Sequence, residues 1–128
     1  MALIRSFRDL KAYQQTREEV HRVFEVTKTF PREEKFSLTD QVRRSSRAVK
    51  SMIADAWAHR RYPASFVSKL TDALGEANET QSWLDDALDC GYLNAAQHQK
   101  LDAAWQAIGG MINSMIAKTD DFCRSVAR

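Results

Sequence analysis

Basic side chains in the middle of the chain are the residues best suited to recognise another molecule. The candidates are Arg43, Arg44, Arg47, Lys50, Arg60 and Arg61. At about 100° per residue of a helix, Arg43, Arg47 and Lys50 share one face, clear of the apolar residues beside them. Such a surface can neutralise several phosphates and bind nucleic acid without sequence preference. The spacing therefore predicts an electrostatic nucleic-acid-binding face.

A second interpretation of these residues stays open, because basic side chains on an exposed helix are usually solvated or paired with carboxylates of a neighbour. Charge is polarised along the chain. Residues 37–69 carry seven Lys and Arg against two acidic residues, whereas residues 70–128 carry four against nine. A basic face and an acidic face are therefore both available for pairing.

Trp83 marks a candidate contact between subunits. Its helical angle places it on the outer face of the third helix with Glu76 and Glu79, where a large aromatic side chain would be exposed to water. Another subunit would cover it, and the acidic residues around it can meet the basic face of helix two in a head-to-tail assembly. A small rotation of the helix, or a single exposed aromatic residue without function, is the alternative.

The residue patterns typical of catalysis and metal binding are sparse. A di-iron centre in a helical bundle needs two Glu-x-x-His pairs, and only Glu18 and His21 have this spacing, with His21 next to a core position. The sequence has no Gly-rich phosphate loop and no Gly-x-Ser-x-Gly nucleophile motif. We therefore expect no catalytic residues, no metal and no cofactor, and a protein that is not an enzyme.

Four long amphipathic helices must position these side chains. The expected helices run roughly over Phe7–Lys28, Leu38–His59, Pro63–Cys90 and Asn94–Arg124. Pro31 ends the first helix, because proline disfavours a helical conformation in the residue before it, and Pro63 suits the first turn of the third. Gly91 supplies a left-handed stop, and Asn94 with Gln97 resembles a capping box.

Further local features are expected inside and at the ends of these helices. The inward stripe of the first helix is expected to contain Leu10, Tyr13, Val20, Phe24 and Thr27. Ser37 is expected to cap the second helix, with Asp40 near its positive end. Gly109 and Gly110 interrupt the fourth helix, for which a kink or a close helix crossing is the simplest explanation.

The connectors between these helices are short, so each helix returns antiparallel beside its predecessor. Residues 1–128 are expected to form one antiparallel up-down-up-down four-helix bundle domain. No segment approaches the roughly 20 apolar residues that span a membrane. Because Met1–Arg8 lacks the apolar core of a secretory signal, a cytoplasmic location is expected. Cys90 and Cys123 lack disulfide or zinc spacing and are expected to be buried free thiols.

Several short segments form an ordered pattern along nearly the whole chain. They are Phe7-Arg8-Asp9-Leu10-Lys11, Phe30-Pro31, Leu38-Thr39-Asp40-Gln41-Val42-Arg43-Arg44-Ser45, Glu79-Thr80 and Gly91-Tyr92-Leu93. Their order and spacing resemble the four-helix bundle family of proteins encoded in intervening sequences of bacterial large-subunit ribosomal RNA genes. The accessory variability proteins of diversity-generating retroelements resemble the same group.

The resemblance implies a homopentameric assembly and a role in binding nucleic acid or a nucleoprotein partner, such as a reverse transcriptase, rather than catalysis. Carried over by position, it implies that Arg43, Arg44 and Arg47 make this interaction. One position departs from the family pattern, which commonly has an acidic residue followed by glycine near the end of helix two. This chain has Asp55-Ala56 at that position. The missing glycine affects the expected local contact between helices and leaves the expected fold unchanged.

Two hypotheses on function follow. The first is a non-enzymatic, oligomeric protein that binds nucleic acid or assists a ribonucleoprotein through the basic face of helix two. The alternative is a protein-protein interaction scaffold without nucleic-acid binding, whose charged faces serve subunit contacts alone. Binding of RNA or DNA that weakens steeply with salt distinguishes the first from the second.

Overall fold

The protein folds into α-helices joined by short turns. The structure is a computed structural model that describes residues 3–124, so Met1, Ala2 and residues 125–128 of the expected domain lie outside the described range. The helices are α1 (Lys11–Thr27), α2 (Leu38–Ala58), α3 (Pro63–Asp89), α4 (Ala95–Ala117) and α5 (Thr119–Arg124), with 3-10 helices at Phe7–Asp9 and Arg32–Glu34. Residues 3–124 contain no strand, which confirms the prediction of an all-α fold.

The four long helices pack side by side as a bundle. α2 packs most extensively against α3, α3 packs against α4, and α1 contacts both α2 and α4. Gln81 of α3 donates a hydrogen bond to Gln106 Oε1 at 3.2 Å. Asp85, one turn further along α3, pairs instead with His98, two turns earlier in α4. The contacts therefore run in opposite order along α3 and α4, as an antiparallel pair requires.

All four long helices contribute side chains to the core. The largest fully buried side chains include Trp105, Phe66, Ile53, Leu70, Leu84, Ile108 and Val23. Burial of one such apolar side chain stabilises the fold by roughly 1.5–3 kcal/mol relative to leaving it exposed. Apolar packing therefore holds the bundle together, and the polar contacts described below mainly fix how each helix is rotated.

The inward face of α1 differs from the expected one. Val20 and Phe24 are only half-buried, whereas Glu19 and Val23, each one position earlier, are buried. Val20 still packs against the core, but Phe24 does not, so the expectation is wrong for Phe24. Because α1 packs against both α2 and α4, its buried arc is broad, and spacing alone does not define the centre of this arc.

The end of α3 and the start of α4 confirm two expectations. Gly91 adopts the left-handed conformation with φ 77°, which ends α3. The backbone N–H of Tyr92 then donates to the carbonyl of Ala87 at 2.8 Å, so the chain folds back on the last turn. Asn94 and Gln97 form the capping box of α4, each side chain accepting a hydrogen bond from the backbone N–H of the other.

The start of α2 differs from the expected one. Ser37 occupies the N-cap position, but its side chain makes no capping hydrogen bond. Its backbone angles, φ −121° and ψ −103°, are not the extended ones from which a capping side chain reaches the helix N–H groups. The hydroxyl instead donates to the Glu34 carboxylate at 2.5 Å. The Ser37 cap was therefore a wrong prediction, and this hydrogen bond orders the turn before α2.

Helix α4 continues through Gly109 and Gly110 without a break and ends at Ala117. A Cβ atom at Gly109 would lie 3.9 Å from Leu74 Cδ2, an ordinary contact, and one at Gly110 would meet nothing within 4 Å. A close crossing that only glycine would allow is therefore a wrong prediction, while a kink at these glycines stays a prediction. The helix breaks later, at Lys118, so α5 is separate from the expected fourth helix.

Helix α1 begins at Lys11 and not at Phe7. Leu10 has extended backbone angles, φ −68° and ψ 129°, which separate the 3-10 helix Phe7–Asp9 from α1. A capping box between Ser6 and Asp9 starts that short helix. The first expected helix is thus two elements, because its opening turn has its own cap.

Two remaining expectations concern the membrane and the cysteines. None of the helices in the described range is long and apolar enough to cross a membrane. Cys90 and Cys123 are free thiols. Cys123 is buried as expected, but Cys90 is exposed, because it follows the last residue of α3 instead of lying on its inward face.

Substitutions at Gly110 and Gly91 should have opposite effects on stability. Gly110→Ala should raise the free energy of unfolding by about 1 kcal/mol, because alanine is favoured in a helix and the added Cβ meets no atom. Gly91→Ala should lower it by roughly 1–2 kcal/mol, since φ 77° is left-handed. Urea unfolding followed by circular dichroism measures both changes. Destabilisation by Gly110→Ala would contradict the open space at that position.

Candidate nucleic-acid interface

Three cations surround one aromatic ring where α1 meets α2. Lys28 Nζ lies 4.8 Å, Arg43 Cζ 4.7 Å and Arg47 Cζ 6.0 Å from the centroid of the Phe24 ring. An aromatic ring attracts cations to its negative face, by about 0.5–1 kcal/mol at exposed sites. Phe24, Lys28, Arg43 and Arg47 are called the Phe24 cluster below.

Arg43 is the most firmly held cation of the Phe24 cluster. Its Nε donates a hydrogen bond to Thr27 Oγ1 at 2.8 Å, and a terminal nitrogen lies 3.4 Å from the Phe24 carbonyl oxygen. Both acceptors are neutral, so the positive charge of Arg43 is positioned but not neutralised. The side chain, which was expected to face outward, is half-buried in the seam between α1 and α2.

Arg47 and Lys50 lie further along the same face of α2. Arg47 is exposed and Lys50 is half-buried. Within residues 3–124, neither forms an ion pair with a carboxylate, whereas Lys28 pairs with Glu25 at 3.2 Å. The structure therefore brings Arg43, Arg47 and Lys50 onto one surface, as predicted, and leaves this surface positively charged.

Arg60 and Arg61 lie beyond the other end of α2, roughly 20 Å from Arg47 at the rise of a helix. Arg60 Cζ lies 3.4 Å from the centroid of the Trp57 ring, and its Nε donates to the Trp57 carbonyl at 2.7 Å. Burial lowers the pKa of Arg60 from its ordinary value. Arg61 is exposed. The structure does not bring these two arginines to the Phe24 cluster.

Arg44 faces α3 and is paired with two carboxylates of the same chain. One terminal nitrogen lies 3.4 Å from Glu76 Oε1, and the other is in close contact with Glu79 Oε1. The hydrogen bond to Glu79 is the main cause that raises the pKa of Arg44. Burial raises the pKa of Glu79, but hydrogen bonds from Trp83 and Arg44 outweigh burial, so this pKa is lowered.

Glu76, Glu79 and Trp83 do not lie on a solvent-facing side of α3, as the helical angles suggested. Trp83 is half-buried, packs against the core and donates from Nε1 to Glu79 Oε1 at 3.2 Å. The side chain of Glu76 is 19% exposed. The outer-face placement is wrong because α3 is rotated so that these residues face α2. A role of Glu76, Glu79 and Trp83 in subunit contacts stays a prediction.

A buried hydrogen bond lies beside the Arg44 ion pairs. Ser45 Oγ and Thr80 Oγ1 are 2.8 Å apart, and both residues are fully buried. Ser45 lies on the buried side of α2 with Val42 and Val49. Each hydroxyl also contacts a carbonyl of its own helix, so the pair acts by favouring the one rotation of α2 that brings the two hydroxyls within hydrogen-bond distance.

A surface cleft of about 510 Å³ opens beside the Phe24 cluster. The residues that line it include Lys35, Phe36, Asp40, Arg43 and Arg47. Phe36 is 86% exposed, and Lys35 Nζ lies 5.3 Å from the centroid of its ring. An exposed aromatic ring and several cations thus share one cleft.

Phe36 was not among the residues predicted from the sequence, although a signal for it exists. A hydrophobic residue directly before a helix N-cap usually packs against an apolar residue in the first turns of the helix. Four residues after the Ser37 N-cap this chain has Gln41, which is polar. Phe36 therefore lacks the partner that would cover it, and exposure can be inferred from this mismatch.

One further group of side chains has the spacing of metal ligands. Ligand atoms of Asp85, His98 and Asp102 all lie within 4.8 Å of one another. His98 Nε2 is 2.8 Å from Asp85 Oδ1, and Gln81 donates to Asp102 Oδ1 at 3.1 Å. The sequence search for metal ligands missed this group because its members come from two helices. These two hydrogen bonds are sufficient to account for its geometry.

Comparison with known proteins identifies relatives of the whole bundle. The sequence model of the family described as 23S rRNA-intervening sequence protein matches residues 8–114. A solved structure from Bacteroides thetaiotaomicron, described as a protein with unknown function from the S23 ribosomal protein family, is similar with a TM-score of 0.75 and 27% sequence identity. The similarity covers 83% of this chain and 95% of that one. No curated protein matches, and neither description names an enzymatic activity.

The Arg44 ion pairs should stabilise the fold in a pH-dependent way. Arg44→Ala should lower the free energy of unfolding by up to about 1 kcal/mol near pH 7, where Glu79 is charged. The pKa of Glu79 is lowered from 4.5, so its contribution is present above that value and lost as the pH falls through the folded-state pKa. Urea unfolding near pH 7 and at about pH 3 measures the loss of stability where Glu79 is charged and where it is increasingly protonated.

The matched control for this measurement is Arg47→Ala, which removes the same charge from α2 without breaking an ion pair. This variant should stay within about 0.5 kcal/mol of the unsubstituted protein at both pH values. An equal loss of stability in Arg44→Ala at the two pH values would contradict the role assigned to Glu79.

Proposed function

Since the chain belongs to the family of 23S rRNA-intervening sequence proteins, we propose that it is a non-enzymatic protein that binds RNA through the Phe24 cluster. Lys50 and Lys35, next to the cluster, extend the binding surface. Binding is electrostatic and depends on phosphates rather than on base sequence. RNA is the polyanion that we propose, and DNA of the same sequence is the comparison that tests this choice.

The proposal is carried by the arrangement of three cations around the single ring of Phe24. Like charges held this close repel one another, and of these three cations only Lys28 forms an ion pair within residues 3–124, with Glu25. A phosphate between the guanidinium groups would replace repulsion by attraction. Arginine suits this role because its planar group donates several hydrogen bonds to phosphate oxygens.

The fixed position of Arg43 also supports the proposal. Its hydrogen bonds to Thr27 and to the Phe24 carbonyl hold the guanidinium group before any ligand arrives. Binding then costs less side-chain entropy than with a freely moving arginine. Arg47, which is exposed, supplies an adaptable contact beside this fixed one.

The paired state of Arg44 changes which residues we assign to RNA. Its two carboxylate partners offset its charge, so we assign it to the α2–α3 seam and not to phosphate binding. Arg61 is exposed at the far end of α2. There it can contact a more distant part of the same RNA molecule, and Arg60 beside it can do the same.

The same pairing disfavours the alternative of a scaffold assembled through charged faces. That hypothesis joins the basic face of α2 to the acidic residues of α3 in another subunit. Glu76 and Glu79 already pair with Arg44 of their own chain, which reduces the charge available for such a contact. A homo-oligomer, with five subunits by the resemblance, stays a prediction, and so does a reverse transcriptase partner.

RNA binding and its salt dependence test the proposal. Arg47→Gln/Lys50→Gln should reduce affinity for labelled RNA at least tenfold at low salt. It should also reduce the slope of log affinity against log salt by about 1.5, the value for two lost phosphate contacts. Fluorescence anisotropy over a salt series measures both quantities, with DNA of the same sequence as a comparison.

The control is Lys11→Gln/Lys118→Gln, which removes two positive charges near Leu10, away from the Phe24 cluster. It should leave the slope unchanged. RNA binding that is absent at low salt, or equally weakened by both double variants, would rule out the proposed site. Arg43 is left intact in both variants because its loss would also disturb the seam between α1 and α2.

A further inference from the structure

The exposed ring of Phe36 lies next to the Phe24 cluster. At 86% exposure it is the most exposed of the large hydrophobic side chains in the described range. The ring leaves its apolar surface in water, so a ligand that covered it would gain the free energy of burying that surface. Its position beside Lys35 and the arginine-lined cleft indicates the chemistry of that ligand.

The turn that carries Phe36 is firmly held. The Glu34 carboxylate accepts hydrogen bonds from the hydroxyls of Ser37, at 2.5 Å, and Tyr92, at 2.9 Å. Both hydrogen bonds lower the pKa of Glu34, and the bond from Ser37 has the larger effect. The hydrogen bond to Glu34 raises the pKa of Tyr92 to about 12. Glu34 is therefore charged and Tyr92 neutral near neutral pH, and both hydrogen bonds are kept.

Buried aromatic packing anchors the same turn to the bundle. The Tyr92 ring lies 5.5 Å from the ring of Phe30, which is itself buried. Backbone hydrogen bonds from Glu34 to the Pro31 carbonyl and from Ser37 to the Glu34 carbonyl close the turn. Phe36 is thus presented on a rigid support, which lowers the entropy lost when a flat ligand stacks on it.

We propose that Phe36 stacks against an unpaired base of RNA whose backbone phosphates bind Lys35, Arg43 and Arg47. An aromatic platform beside a cationic groove is the arrangement that binds single strands, because every base has a face that can stack and every nucleotide has a phosphate. In a duplex the faces of the bases are covered by their neighbours. The cleft therefore selects unpaired nucleotides, and this proposal rests on the proposed RNA-binding function.

The charges that line the cleft favour a phosphate at this position. The cleft is lined by three cations without a carboxylate partner in the described chain and by one carboxylate, that of Asp40. The cations are Lys35, Arg43 and Arg47; Arg44 also lines the cleft but is paired with Glu76 and Glu79. Asp40 forms no ion pair within residues 3–124, so it repels phosphate and can accept a hydrogen bond from a base amino group or a ribose hydroxyl. The cleft volume of about 510 Å³ is within the range of small-ligand sites.

Comparison of single-stranded with duplex RNA tests the inference. The probes are a labelled RNA of about 12 nucleotides without self-complementarity, and the same strand annealed to its complement. Phe36→Ala should weaken binding of the single strand roughly tenfold, the effect of one lost base stack, and should leave duplex binding unchanged. It should not alter the salt slope, because no charge is removed.

Two variants serve as controls for Phe36→Ala. Phe36→Trp keeps an aromatic face and should bind the single strand at least as tightly as the unsubstituted protein. Tyr62→Ala removes an exposed aromatic ring at the other end of α2, where Tyr62 is 62% exposed, and should leave single-strand binding unchanged.

The possible results separate this inference from the proposed function. If the unsubstituted protein binds neither probe, the proposed function itself fails. If it binds but Phe36→Ala weakens both probes equally or neither, RNA binding stands and the stacking role is overturned. The competing occupant of Phe36 is a second copy of this chain. A lower mass of Phe36→Ala in light scattering would identify that contact and overturn the inference.

Discussion

Helix α2 presents its arginines in one orientation because its inner side is fixed to α3. Ser45 and Thr80 share a buried hydrogen bond of 2.8 Å, and Arg44, next to Ser45, pairs with two glutamates of α3. A rotation of α2 would break this hydrogen bond and separate Arg44 from its two carboxylates. With α2 held in this way, Arg43 and Arg47 lie on the side that faces α1. The segments Leu38–Ser45 and Glu79–Thr80, which carry part of the family resemblance, therefore meet each other in space.

The same constraint sorts the charges of the bundle into two groups. On the α3 side, carboxylates offset Arg44, and the contact contributes to stability. On the α1 side, the ring of Phe24 gathers cations and carries no negative charge to offset them. A net charge of +2 for the whole chain conceals this separation. The turn that ends at Phe36 adds an apolar surface to the cationic side, so the properties needed for phosphate binding and base stacking occur together.

The sequence predicts what depends on local structure and fails where the rotation of one helix against another decides the result. Gly91 and the Asn94 capping box are confirmed because each depends on a few neighbouring residues. Helical spacing also places Arg43 and Arg47 on one face correctly. Helical spacing cannot show that Arg44, the residue after Arg43, pairs with Glu76 and Glu79, which lie 32 and 35 residues further along the chain. Nor can it show that Phe24 leaves the core to support cations, because that depends on how α1 is rotated between α2 and α4.

We infer that polyanion binding uses the arginines on the α1 side of α2 and leaves the Arg44 pairs intact. NMR spectra of the arginine Nε–Hε groups, recorded while RNA is added, test this claim directly because each side chain is observed separately. We predict that the Arg43 and Arg47 signals shift with RNA concentration and that the Arg44 signal does not. Shifts confined to Arg44, or to arginines outside α2, would contradict the account.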